Sequence, residues 1–321
     1  MTTSRMRSES TLSVDELADR LMRLGILPTQ GTLGDAVLRD GIAAFQRSRG
    51  LDETGRVDAA TKAALDEATY SFGDRPLYLT SPMLRGDDVA WLQLRLGSLG
   101  FNAGRVDGIF GAATQRALCE FQRNVDIIVD GVCARDTVAQ LSRLSARMGD
   151  LSVVGLRERE ALLGRDTDLA GLTISVVAAE DDTGISGAIG AFLSTSAALV
   201  SVHNDLDWSI LAAQTNEAGA DVCLAVELVD EPILEIAYFG GEGFESQAGK
   251  SLAQALLRQL PHAPMWTEHA AVPKRLPILR ETRCPTVRLR VGPLADIVEM
   301  QSMIVAAVAR ALSAWVEQPS T

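Results

Sequence analysis

The segment Glu120–Leu141, EFQRNVDIIVDGVCARDTVAQL, decides the organisation of the first half of the chain, because it has a counterpart 76 positions earlier. The counterpart is Ala44–Leu65, AFQRSRGLDETGRVDAATKAAL. Five residues match in this one register: Phe45/Phe121, Gln46/Gln122, Gly55/Gly131, Thr61/Thr137 and Leu65/Leu141. Chance rarely produces such agreement, so the first half of the chain contains a duplication.

Each copy predicts a small helical bundle. In the second copy, GDDVAWLQLRLGSLGF has apolar residues at helical spacing and a glycine, Gly100, that ends the helix. The turn VDGIFGAAT leads into the helix TQRALCEFQR, which should bury Leu118 and Phe121. A second turn precedes a short last helix, for which Asp136 is a suitable cap.

The second copy resembles the peptidoglycan-binding domain-1 family of three-helix modules. The shared pattern is LQ-x2-L-x2-LG, then VDG-x-FG-x2-T-x2-AL-x2-FQ, then DG-x5-T-x3-L. The first copy departs from it, because ETGRVD replaces the DG turn and the VDG-x-FG stretch is missing. The Phe, Leu and Gly residues of the motif are core and turn positions, so the resemblance implies the fold rather than retained glycan binding.

Composition indicates a globular protein of two or three domains, with 321 residues of which 47% are apolar. The apolar stretches are short and interrupted, so we expect no membrane-spanning helix. The N-terminal MTTSRMRSESTLSVDEL has no apolar run, which predicts a cytoplasmic protein without a Sec-type signal. The four cysteines have no ligand-like spacing and predict small buried thiols: Cys119, Cys133, Cys223 and Cys284.

The net charge of −12 is uneven along the chain. Residues 1–150 carry 18 basic and 20 acidic side chains, whereas residues 151–321 carry 12 basic and 22 acidic ones. A nucleic-acid-binding protein would present a basic face, so this class is discounted. An acidic second half suits a basic protein surface or simple solubility.

After a charged connector, the second half alternates predicted strands and helices. The predicted strands are Ile174–Ala178, Ala198–Val202, Val222–Val229, Ile233–Phe239 and Cys284–Val291, and the predicted helices are Ser209–Ala218, Phe244–Leu260 and Asp296–Trp315. This alternation predicts a mostly parallel sheet covered on both faces. The whole chain is therefore expected to be α plus α/β: two three-helix bundles, then a mostly parallel α/β sandwich.

The stretches AGADVCLAVEL, SLAQALLRQL and ILRETRCPTVRLRVGPLAD occur in this order and resemble the zinc-dependent N-acetylmuramoyl-L-alanine amidase family, type 3. Together with the repeats, the chain resembles actinobacterial cytoplasmic amidase-like cell-wall regulators. Such enzymes hold zinc with two imidazoles and a carboxylate, and a further Glu acts as general base and acid. The resemblance implies four former-site positions here: about Glu180 for the first His, near Gly187 for the ligand Glu, Glu227 for the second His and Arg290 for the catalytic Glu.

These substitutions imply a protein with no catalytic residues, no bound metal and no cofactor. Strand alternation in RCPTVRLRVGPL places Arg288 and Arg290 on one face. We expect Arg290 to replace the lost metal charge by pairing with Glu227, and with Glu180 if it lies close enough. For Arg288 we expect a surface or helix-contact role.

Other catalytic sites are not favoured by the sequence. His203, after a strand in SVHND, and His262 and His269, in the predicted loop PHAPMWTEH, have no spaced partner and read as solvated loop residues. Two carboxylates could hold Mg²⁺ or Ca²⁺, but the neighbouring arginine would repel the ion. The three glycines of YFGGEGFES predict a turn rather than a phosphate-binding loop.

We expect four segments: a first repeat at 12–72, a second repeat at 82–146, a linker at 147–170 and an amidase-like domain at 171–318. The expected function is regulation or scaffolding of peptidoglycan precursor synthesis by a pseudoenzyme. Its expected partner is a precursor-synthesis enzyme or another cell-wall synthesis protein, or else a muropeptide or lipid-linked precursor. Two alternatives stay open: a divergent amidase or other wall hydrolase, and a scaffold that binds such precursors through its repeats.

Overall fold

A computed structural model describes residues 13–28, 34–145, 169–179, 184–195, 199–241, 244–261, 266 and 268–317. These residues belong to two compact units, Met1–Asp66 and Glu67–Thr321, and each is described by itself. The expected segment boundaries remain predictions. The connector expected at 147–170 lies outside the described residues except for its last two positions.

The first unit is built from three helices, α1 (Val14–Arg23), α2 (Asp35–Ser48) and α3 (Ala59–Glu67, whose last residue falls in the second unit). Ser13 caps α1, where its hydroxyl oxygen accepts a hydrogen bond from the Glu16 amide. Apolar side chains from the three helices and a connecting turn form one core: Leu17, Leu21, Leu27, Ile42, Phe45 and Leu65.

The second unit opens with another three-helix arrangement, α4 (Asp87–Ser98), α5 (Ala112–Asn124) and α6 (Arg135–Ser145). Phe121 is fully buried on α5, the second helix of its repeat, as Phe45 is buried on α2, the second helix of the first repeat. Both sequence copies thus fold into three helices with the paired phenylalanines in their cores.

Buried glutamines hold the turns of both repeats. The Gln122 amide donates to Asp130 Oδ1, the Val132 carbonyl and Thr137 Oγ1, and its oxygen accepts from the Gly131 amide. Gln46 makes the equivalent bonds with the turn at Gly55. The FQ pairs of the repeat are therefore a core residue followed by a turn clamp, because a buried amide must find partners.

A third clamp follows the LQ pair of the second repeat. Gln93 donates to Asp107, to the Ile109 carbonyl and to Thr114, and it accepts from the amides of Asp107 and Gly108. Helix α1 contains no glutamine, and the first repeat also lacks the VDG-x-FG turn. The clamp and the turn that it would hold are thus missing together.

The rest of the second unit is a seven-stranded sheet with helices on both faces. Its strands are β1 (Thr173–Ala178), β2 (Leu199–Asn204), β3 (Val222–Leu228), β4 (Ile233–Gly241), β5 (Phe244–Glu245), β6 (Glu268–Lys274) and β7 (Thr286–Val291). Its helices are α7 (Ile185–Ser194), α8 (Trp208–Glu217), α9 (Gln247–Gln259), α10 (Pro277–Glu281) and α11 (Leu294–Glu317), with a 3₁₀ turn at Leu169–Gly171.

The strand order is β2-β1-β3-β7-β4-β5, with β6 also paired to β4. Strands β2, β1, β3 and β7 are parallel, β4 is antiparallel to β7 and β5, and β6 is parallel to β4. The predicted α plus α/β fold class is therefore confirmed. Strand β6 was missed: it lies where the sequence predicts a loop, so His269 is a strand residue.

The largest core lies between the sheet and helices α7, α9 and α11. Alternation directs Leu224, Val226 and Leu289 into this core, and it turns Cys223 and Ala225 towards the opposite face. There Thr215 of α8 hydrogen-bonds Ser175 of β1 across 3.1 Å. The face towards α7, α9 and α11 is thus apolar, whereas the opposite face also carries polar side chains such as Ser175 and the charged residues of β3, β4 and β7.

Helix α11 corrects the expectation that no stretch could cross a membrane. It has 24 residues, and its most apolar window has a mean hydropathy of 1.4, which suffices by length and composition alone. The same helix contributes Ile304, Val308 and Leu312 to the core. A core helix of a globular domain meets the same criteria, so they do not establish a membrane span.

Candidate functional site

Glu227 on β3 and Arg290 on β7, the two positions for which the resemblance implies a former active site, lie side by side in the sheet. Glu227 of β3 is the register partner of Arg290, and Arg290 is also opposite Glu235 of β4. Register partners share a face, so these three side chains leave the sheet on the side of α8 and α10. The predicted adjacency of Glu227 and Arg290 is present at this level.

The ion pair itself is made by a different arginine. Arg288 Nη1 lies 2.9 Å from Glu227 Oε2, and Arg288 Nη2 donates to Glu235 Oε1 across 2.7 Å. The Arg288 side chain is 1% exposed, whereas Glu235 is 9% and Glu227 25% exposed. The expectation of an Arg290–Glu227 pair, and of a surface or helix-contact role for Arg288, is therefore wrong.

The strand register explains why Arg288, rather than Arg290, forms the ion pair with Glu227. Its partners on the neighbouring strands are Ala225 and Ala237, so the stem of Arg288 lies between two methyl groups. Two residues along β7, at Arg290, the partners on both sides are glutamates, Glu227 and Glu235. An arginine whose stem crosses the alanine level can place its planar head between two carboxylates, which suits a buried guanidinium.

Arg290 has a looser environment at the rim of the sheet. Its Nη2 lies 3.7 Å from Glu231 Oε2, and Glu231 is 65% exposed. The Arg290 Nε is buried without a hydrogen-bond partner among the described residues. This arginine thus contributes positive charge to the site without a close ion pair.

A third cation completes the cluster. Lys274 Nζ, at the end of β6, lies 3.3 Å from Glu235 Oε2. Sequence analysis missed both residues, although a single glutamate inside the apolar run ILEIAYF was a usable signal. We call Glu227, Glu235, Lys274, Arg288 and Arg290 the charge cluster.

Of the other two positions that the resemblance implies, Glu180 and Gly187, the structure describes only Gly187. Glu180 lies outside the described residues. Gly187 is the third residue of α7, exposed, and a Cβ there would meet no atom within 4 Å. As glycine it offers no side chain to a metal.

Two of the three histidines, His203 and His269, are not the solvated loop residues that the sequence predicted. His203 lies within β2, and its Nε2 is buried. The His269 ring stacks on Trp266 at 6.2 Å between centroids. His262 lies outside the described residues. In YFGGEGFES, Gly240 and Gly241 of β4 pair antiparallel with Glu245 and Phe244 of β5, and Ser246 caps α9.

The four cysteines are free thiols, and three of them are buried. Burial raises the pKa of Cys133 to about 12, with a smaller effect from the charge of Asp88. Burial also raises the pKa of Cys223 strongly. These two thiols are therefore uncharged packing residues at neutral pH.

The residues of the charge cluster do not fit a zinc ion. Zinc requires imidazole, thiolate or carboxylate ligands with free electron pairs. Here the Glu227 carboxylate faces the buried guanidinium of Arg288, and Glu235 is paired with both Arg288 and Lys274. Within the described ranges, no three His, Cys, Asp or Glu side chains converge on a metal position.

Both halves of the chain are similar to known proteins. Residues 10–65 and 85–141 match the family described as putative peptidoglycan binding domain. N-acetylmuramoyl-L-alanine amidase CwlM of Mycobacterium tuberculosis is 30% identical over 336 residues, covering 90% of this chain and 81% of the relative. The spore cortex-lytic enzyme of Oceanobacillus iheyensis is 38% identical over 77 residues, which cover 24% of this chain and 27% of that enzyme.

Solved structures give weaker matches. The N-acetylmuramyl-L-alanine amidase Ami1 of Mycobacterium smegmatis aligns with 46% of this chain and 98% of its own, at 12% identity and a TM-score of 0.39. The amidase AmiC2 of Nostoc punctiforme aligns with 48% of this chain and 100% of its own, at 15% identity and a TM-score of 0.37.

Proposed function

This chain belongs to the family of peptidoglycan-binding, amidase-like proteins that includes CwlM of Mycobacterium tuberculosis, and we propose that it is a non-catalytic member. In this proposal the chain regulates or scaffolds peptidoglycan precursor synthesis by binding a protein or a precursor. It needs no metal and no cofactor for this work, and it acts in the cytoplasm.

One observation carries the proposal. The carboxylate of Glu227, where the resemblance implies the second zinc-binding histidine, is paired at 2.9 Å with Arg288, whose side chain is 1% exposed. A fixed guanidinium supplies positive charge where the resemblance implies a metal, but it has no open coordination position and no acidic water. Arg290 stands where the resemblance implies the catalytic Glu. It is a cation and cannot act as general base.

The charge distribution supports a protein partner. The second half of the chain carries the larger part of the −12 net charge, as counted above. An acidic surface steers encounters with basic surfaces. Because both domain types relate to cell-wall chemistry, we propose an enzyme of peptidoglycan precursor synthesis, or another cell-wall synthesis protein, as this partner.

A divergent amidase is the second candidate. The Mycobacterium tuberculosis relative is named an amidase, which favours this candidate. This candidate needs a ligand set rebuilt from other residues, since Gly187 offers no side chain and Glu227 is neutralised by Arg288.

Metal analysis and hydrolysis assays separate the two candidates. Untagged protein should carry far less than one zinc per chain by plasma mass spectrometry, and it should release no peptide from peptidoglycan. The Arg290→Glu variant should be equally inactive, because a general base alone supplies no metal. One equivalent of zinc together with chelator-sensitive peptide release would overturn the proposal.

The proposed partner is tested by the effect of this chain on the turnover of an enzyme, rather than by co-purification of the two proteins. Purified peptidoglycan precursor enzymes are assayed alone and with this chain, and the turnover of one of them should change severalfold. Glu231→Gln at the exposed rim of the charge cluster should weaken that effect, and Glu120→Gln on the second repeat serves as a control with the same charge loss. No change for any enzyme of the pathway would contradict the regulatory role.

A further inference from the structure

Within the second unit, the second repeat grips helix α10 through an ion pair. Arg85 Nη1 and Nη2 contact the two carboxylate oxygens of Glu281 at 2.5 and 3.2 Å. Glu281 is 11% exposed, and Ser209 Oγ and Arg280 lie 3.4 and 3.6 Å from its Oε1. Two parallel bonds from one guanidinium to one carboxylate are the geometry by which arginines recognise acidic ligands.

A second arginine grips the backbone next to that carboxylate. Arg105 Nη1 donates to the Thr282 carbonyl at 2.5 Å, and Nη2 donates to the Leu279 carbonyl at 3.3 Å. Its guanidinium also lies 4.6 Å from the centroid of the Phe239 ring. The segment 279–282 is therefore held by one carboxylate and two carbonyl oxygens, as an acidic peptide would be.

Both arginines lie next to the VDGIFG turn, residues 106–111, of the repeat. Arg105 directly precedes the VDGIFG turn, and Arg85 forms an isolated bridge with Ile109 inside it. Gln93 clamps this turn from below through Asp107 and Gly108. The two guanidinium groups thus project from a rigid platform rather than from a loose loop.

The contact between the second repeat and α10 is made by polar groups of Arg85 and Arg105, inside the one compact unit Glu67–Thr321. The core of the second repeat and the core of the α/β sheet are separate clusters that share no residue among those described. Arg85 is 39% exposed, so water reaches the ion pair. An ion pair that water reaches contributes little stability by itself.

We propose that the segment 279–282 is a built-in pseudo-ligand, and that Arg85 and Arg105 bind a carboxylate-bearing peptide in its place when the contact opens. The contact is then autoinhibitory, because the Glu281 carboxylate competes with any free ligand. A tethered competitor acts at an effective concentration of the order of millimolar. The intact chain should therefore bind such a peptide weakly, and removing the competitor should strengthen binding.

The test uses the full chain and a muramyl tripeptide with free carboxylates as the probe. Glu281→Ala should lower the dissociation constant by about tenfold, provided that its melting temperature shows a folded protein. Arg85→Met with Arg105→Met should lose binding. Arg116→Met with Arg123→Met, on the exposed side of α5, removes the same charge from the same repeat and should bind as the unaltered chain does.

A second measurement needs no variant. Adding the probe to the unaltered chain should speed amide hydrogen exchange in the segment 279–282, and the same peptide with amidated carboxylates should have no effect. The proposal is overturned if Glu281→Ala binds no more tightly, if the double arginine variant keeps its affinity, or if the probe leaves exchange unchanged. None of these measurements involves turnover. This proposal can therefore fail or succeed independently of the pseudoenzyme proposal.

Discussion

Replacing Arg288 by methionine should destabilise the second unit by about 3 kcal/mol. Breaking a buried ion pair by removing one partner costs about 3–5 kcal/mol, because the other charge stays buried without compensation. Two features place the value at the lower end. Glu227 is 25% exposed and can regain water, and Glu235 keeps Lys274 at 3.3 Å. The cost then comes mainly from Glu235, whose side chain is 9% exposed.

Arg290→Met is the matched control, since it removes the same side chain from the same strand two residues later. Its ion pair is 3.7 Å long and its partner is 65% exposed, so the loss should stay below about 1 kcal/mol. The double variant Arg288→Met with Glu235→Gln should recover part of the loss, because the two sites are in direct contact.

Urea unfolding followed by tryptophan fluorescence measures this difference in the correct part of the chain. The four tryptophans, at positions 91, 208, 266 and 315, all lie in the second unit. Free energies of unfolding come from linear extrapolation. Equal losses for the two arginine variants, or a larger loss for Arg290→Met, would refute the assignment of Arg288 as the centre of the charge cluster.

Four further predictions test the packing and the contacts around the site. Phe121→Ala should cost about 3–5 kcal/mol, because the ring is fully buried; urea unfolding measures it. Gln93→Leu should cost about 1–3 kcal/mol in the same assay, because it leaves buried turn amides without an acceptor. Burial would raise the pKa of Glu281, but the hydrogen bond and charge of Arg85 outweigh it and the pKa is lowered. The stability difference between Arg85→Met and the unaltered chain should therefore be present at neutral pH and fade as the pH falls through that lowered value. Cys119 should react with a thiol reagent before the other three cysteines, which should react only after unfolding.

Much of the fold followed from the sequence because its signals are local. The 76-residue register found both bundles, since Phe45 and Phe121 mark a core position that helical spacing reveals. Apolar runs bounded by polar residues correctly predicted strands β3, β4 and β7. The edge strand β6 escaped, because Glu268–Lys274 mixes charge, histidine and proline in a pattern that reads as a loop.

The choice between Arg288 and Arg290 could not be made from local signals. Alternation places both on one face, and motif register puts Arg290 opposite Glu227. The deciding feature is the pair of alanines that flank Arg288 on β3 and β4. Strand β4 pairs antiparallel with β7, which lies some 50 residues away in sequence. The Cα register shows which backbone positions are neighbours. A long side chain, however, places its charge about two residues along the strand from its own Cα. For an arginine in a sheet, the ion pair is therefore set by where the small residues leave room for its stem, and this depends on strand order that a single sequence does not state.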